Sequence, residues 1–126
     1  MKLRLIDRPT FETVAIGDTS FKVRVMSYGD SVELRRKCTV NGRADDARLE
    51  DAEWEFVLAG WEGLADAAGA DVPYDAKQAS FVGRSLTLDV AQVLKRKATA
   101  FVAKAEDDLG NSGTPSGNGP EGTKTP

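Results

Sequence analysis

A chain of 126 residues with 40% hydrophobic and 29% charged side chains has room for one small core and not for two domains. It contains no histidine and one cysteine, Cys38, which excludes an internal disulfide, a cysteine metal cluster and every histidine-based form of general-base or nucleophilic catalysis. The net charge of −3 is unevenly spread: residues 1–42 carry eight Lys/Arg against five Asp/Glu, residues 43–75 two against ten, and residues 76–126 seven against five.

An acidic middle with mildly basic flanks does not suit sequence-independent nucleic-acid binding, where neutralised phosphates supply the affinity. It suits a basic partner, or solubility alone. No apolar run approaches the roughly 18 residues needed to cross a bilayer, and Met1–Arg8 has no stretch of signal-peptide character, so the expectation is a cytoplasmic protein with no membrane partner.

In chain order, Phe11–Ile16 is rich in β-branched residues, and Phe21, Val23 and Val25 alternate with Lys22 and Arg24. With the turn signal Gly17-Asp18-Thr19 between them, these runs predict an antiparallel hairpin over about 11–26. Leu3, Leu5 and Ile6 are candidates for a third short strand. A helix starting at Ser27 or Asp30 then fits Val32, Leu34 and Cys38, with Asn41-Gly42 ending the element, although Thr39-Val40 fits a strand equally well.

The clearest helix covers about 45–61, capped by Asp45 or Asp46 and carrying Glu50, Asp51 and Glu53 near its positive end. Leu49, Ala52, Phe56 and Gly60 form one stripe along it, and Trp54, Leu58 and Trp61 a second. A compact connection over 63–74 leads to a short helix at about 75–82, capped by Asp75. A last long helix covers about 88–109, with Val90, Val93, Leu94, Phe101 and Val102 at three- and four-residue spacings and Lys95-Arg96-Lys97 mainly on the wet side. Residues 110–126 hold eight Gly or Pro in seventeen and no apolar side chain that could offset ordering, which predicts a flexible tail. The expected architecture is α+β, a single domain over 1–109 made of a small N-terminal hairpin followed by helices.

Few residues point to chemistry. The acidic cluster around Asp46, Glu50, Asp51 and Glu55 lacks the calcium-loop spacing and reads as a helix start matched to its dipole. Gly60-Trp61-Glu62-Gly63 is not a phosphate loop, because no lysine follows it. Ser27, Ser80 and Ser85 have no base to activate them, and Cys38 reads as a structural thiol. No catalytic, metal or cofactor residue is expected.

The stretch from Phe56 to Val82 holds Val57, Gly60-Trp61-Glu62-Gly63-Leu64, Asp66, Gly69 and Val72-Pro73-Tyr74-Asp75. It resembles the middle of small tail assembly chaperones of siphophages. Those proteins carry a helix ending in tryptophan, a W-x-G-hydrophobic-x-D-x-x-G loop, then a hydrophobic-Pro-aromatic step into the next helix. The resemblance spans about 20–105. It implies a non-enzymatic protein of the host cytoplasm that binds the helical tape-measure protein, helps recruit tail-tube subunits, and is absent from the finished virion. Such proteins are often made in two lengths by a frameshift near the end of the gene.

The residues of the motif are readable as a structural corner: Trp61 as anchor, Gly63 for a close turn, Asp66 for backbone amides, Gly69 for a positive φ, Pro73 and Tyr74 leading onward. The partner-binding candidates are Trp54, Leu58, Phe101 and Val102, as apolar surface for a partner's stripe. The alternatives are a minor structural head–tail or tail protein whose strands pair with neighbours, and an unrelated small enzyme or regulator.

Overall fold

The computed structural model describes residues 2–100, of which Ile6–Ala100 make up one structural unit. The hairpin forms as its alternation requires. Strand β1 (Phe11–Ile16) pairs antiparallel with β2 (Thr19–Arg24), with Val14 opposite Phe21 and Glu12 opposite Val23. Helix α1 (Tyr28–Lys37) begins with a capping box: the Ser27 hydroxyl accepts from the Asp30 amide at 3.0 Å, and the Asp30 carboxylate accepts from the Ser27 amide at 2.9 Å. The Thr39-Val40 alternative resolves as strand. β3 (Thr39–Val40) and β4 (Arg43–Ala44) make a small hairpin around Asn41-Gly42, both of which have positive φ. Cys38, between α1 and β3, is 3% exposed, as its structural reading requires.

Asp45 caps helix α2 (Asp46–Val57), accepting from the Arg48 amide. The helix expected to run to residue 61 ends at Val57. Leu58–Glu62 instead forms β5, which pairs antiparallel with β2 and places β2 in the centre of the order β1-β2-β5. It is the third strand of this sheet; of the residues expected to add one, Leu3 is in a single β-bridge and Leu5 and Ile6 are in no strand. The physical cause is non-local: the free edge of β2 supplies backbone partners to 58–62 that a continued helix would have to find within itself.

The register of β5 shifts by one residue: Lys22 faces Gly60, but Val23 faces Leu58, leaving Ala59 as a bulge. Residues three apart on a regular strand point to opposite faces. The bulge therefore allows both Leu58 and Trp61 to point at the core, opposite Val23 and Phe21.

After the loop, a 3₁₀ turn at Ala76–Gln78, capped by Asp75, leads into α3 (Ala79–Ser85). Helix α4 (Leu88–Thr99) follows; the helix expected to run on to 109 stops at Thr99, where Ala100 turns to an extended backbone (φ −76°, ψ 154°), and residues 101–109 and the tail at 110–126 lie outside the described residues. The helices cover one face of the sheet, and Phe21, Val23, Trp54, Leu58, Val82 and Leu94 share one core cluster. The acidic residues of α2 bind the helices around them. Lys95 donates to Glu50 at 2.9 Å and Glu53 at 3.3 Å, and Asp51 accepts from the Ser80 hydroxyl and from Arg84. Lys97 lies 3.7 Å from Glu12, so two cations of the 95–97 run face internal carboxylates.

Candidate protein-binding groove

The corner motif is built around Trp61, which is 5% exposed. Its indole Nε1 donates to the Val72 carbonyl at 2.8 Å, and the Tyr74 ring meets it edge-on, with centroids 4.8 Å apart at 77°. Pro73 stands between these two contacts in the chain. Gly63 has φ +71°, and a Cβ there would overlap the Asp18 carbonyl, so the chain passes the β1–β2 turn at backbone contact distance; the Thr19 hydroxyl donates to the Gly63 carbonyl at 2.9 Å.

Asp66 organises the turn after Leu64 and Ala65. Its carboxylate accepts from the amides of Ala68 and Ala70, both at 2.9 Å, and its own amide donates to the Ala70 carbonyl. Gly69 closes the turn at φ +86°. The returning chain is tied down by a bridge between Ala65 and Asp71 and by the Val72 amide donating to the Leu64 carbonyl at 2.8 Å. Trp61, Gly63, Asp66, Gly69, Pro73 and Tyr74 thus belong to one corner, with Trp61 on a strand and not at a helix end.

The partner-binding candidates fare differently. Trp54 is 2% exposed and Leu58 is fully buried, so neither can form a surface: Trp54 fills the space between α2 and α3, and Leu58 faces the core from β5. Their burial overturns the expectation that they meet a partner. Phe101 and Val102 lie outside the described residues.

Exposed apolar surface lies elsewhere. The corner loop and α3 enclose a groove of about 470 Å³, with Leu64, Ala65 and Val72 contributed by the loop and Phe81, Val82 and Leu86 by α3 and the residue after it. Phe81 forms its outer lip and is 69% exposed. Sequence reasoning placed Phe81 in a short helix without assigning it to the surface. The Ala79, Val82 and Gly83 positions that bury the other side of α3 were the available signal.

No family model, curated protein or solved structure matches the chain. Among the described residues no group of three or more Asp, Glu or Cys side chains is placed to hold a metal ion, and no helix is long and apolar enough to cross a membrane. The groove is a surface for apolar contact, floored by half-buried side chains and edged by one aromatic ring.

Proposed function

We propose that this chain is a non-enzymatic tail assembly chaperone of a long-tailed bacteriophage, acting in the host cytoplasm by covering apolar surface on the tape-measure protein and helping to recruit tail-tube subunits. The observation that carries this reading is the groove beside the corner motif. A chaperone of this kind needs exposed apolar surface, and Phe81 with Leu64, Val72 and Leu86 provides it where Trp54 and Leu58 do not. The resemblance of the Phe56–Val82 stretch to that family supports the choice of partner, and the chain's lack of histidine favours binding over catalysis.

The test is co-expression with the tape-measure protein of the same genome. The expected result is that the partner, insoluble alone, becomes soluble and co-purifies with this chain. Equal partner solubility with and without the chain would sink the reading. A second reading, a minor structural tail or head–tail protein, draws on the edge position of β1 in the sheet, where a neighbouring subunit's strand could add. Stoichiometric recovery from purified virions would favour it.

A further inference from the structure

The groove does not sit in a neutral setting. Residues 59–76 carry four carboxylates, Glu62, Asp66, Asp71 and Asp75, and no lysine or arginine. All four are exposed, and among the described residues none of them is in an ion pair. Of the five acids of α2, Glu50, Asp51 and Glu53 are each engaged by a cation from α3 or α4, whereas Asp46 and Glu55 are in no ion pair among the described residues. The segment that supplies Leu64 and Val72 thus carries four carboxylates with no ion-pair partner among the described residues, and Lys77 follows just beyond it. Asp66 lines the groove, and Asp71 is bridged to Ala65 on its wall.

The wall also restricts the shape of an occupant. The Leu64–Val72 segment pairs with itself, through the Ala65–Asp71 bridge and the Val72-to-Leu64 hydrogen bond. The groove thus presents side chains and not an open strand edge, which suits a helix laying an apolar stripe into it better than an added strand. A helix whose stripe is flanked by cations meets both features: its stripe covers Phe81, Leu64 and Leu86, and its flank faces Asp66 in the groove and Asp71 on its wall.

We infer that this groove docks an amphipathic helix whose apolar stripe is flanked by lysine or arginine, an inference that rests on the proposed partner-binding function and names the chemistry of the partner segment. The probes are two fluorescein-labelled helical peptides with the same leucine stripe, one with lysine and one with glutamate on the polar face, titrated into the full chain by anisotropy. The lysine peptide is expected to bind about tenfold more tightly than the glutamate peptide at low ionic strength, a preference that shrinks in 0.5 M salt. Phe81→Glu adds negative charge, so purely electrostatic attraction would strengthen. Docking in the groove predicts instead about a tenfold weakening for the lysine peptide. Asp71→Lys is expected to narrow the preference without abolishing binding of the stripe.

Equal affinity for the two peptides, no binding of either, or unchanged binding to Phe81→Glu would overturn the inference. A doubled mass in sedimentation that Phe81→Glu abolishes would also overturn it, by assigning the groove to a second copy of the chain. Co-expression separates this failure from failure of the chaperone reading. If the tape-measure protein still co-purifies with Phe81→Glu, the chaperone reading stands and the groove is the wrong surface. If it never co-purifies, the chaperone reading falls while the peptide titration still decides the groove.

Discussion

Gly83 of α3 lies directly against the indole of Trp54 on α2: a Cβ at position 83 would overlap the benzo-ring carbons of the tryptophan. The glycine lets two helices approach until a flat aromatic side chain fills the space between them, and it explains why Trp54 is buried rather than available to a partner. Gly83→Ala in an exposed helix would be worth about 1 kcal/mol of added helix propensity. Here overpacking of about 1–3 kcal/mol is expected to win. At about 4–8 °C per kcal/mol for a domain of this size, the melting temperature by circular dichroism should fall. A rise would mean that α3 does not pack on Trp54.

Gly63 and Gly42 separate two reasons for glycine. Both have positive φ, at +71° and +77°, so alanine at either is expected to cost about 1–2 kcal/mol. At Gly42 the added Cβ meets nothing, whereas at Gly63 it meets the Asp18 carbonyl. Chemical denaturation should therefore show Gly63→Ala to be the more destabilising by about 1 kcal/mol or more. Equal losses would refute the close passage of the corner past the β1–β2 turn.

Asp66→Ala removes the acceptor for two amides in an exposed loop, and a loss of about 1–2 kcal/mol is expected. Asp66→Asn keeps a carbonyl acceptor and should recover most of it. Hydrogen exchange is the sharper readout, since the Ala68 and Ala70 amides should lose protection in Asp66→Ala and keep it in Asp66→Asn. Unchanged exchange in both variants would remove Asp66 from the corner's design.

Lys95 bridges Glu50 and Glu53 and stands 4.8 Å from the centre of the Trp54 ring. With its side chain 31% exposed, it is screened only in part. Lys95→Met, which keeps the apolar stem, is expected to cost about 1 kcal/mol at low salt. The difference from wild type should shrink in 0.5 M sodium chloride, because exposed charge pairs weaken as the screening length falls. A salt-independent difference would assign the effect to packing of the stem.

What the amino acids determined by themselves was local. The alternation of Phe21, Val23 and Val25 around Lys22 and Arg24 specifies a half-buried strand, Ser27 with Asp30 specifies a capping box, and Gly63, Asp66 and Gly69 specify a corner by the backbone angles and hydrogen bonds that they permit. Only the tertiary structure decided the fate of residues 54–61. Trp54, Leu58 and Trp61 recur at spacings of four and three, the signature of one helical face, yet the helix stops at Val57. The bulge at Ala59 then returns Leu58 and Trp61 to the same core from a strand. Burial is equally well served by either path. The vacant edge of β2, 35 to 42 residues earlier in the chain, tips the balance by pairing the backbone. The same long-range packing turns Trp54 inward against Gly83 and leaves Phe81 outside, because which side of α3 meets α2 depends on where β5 has placed the chain.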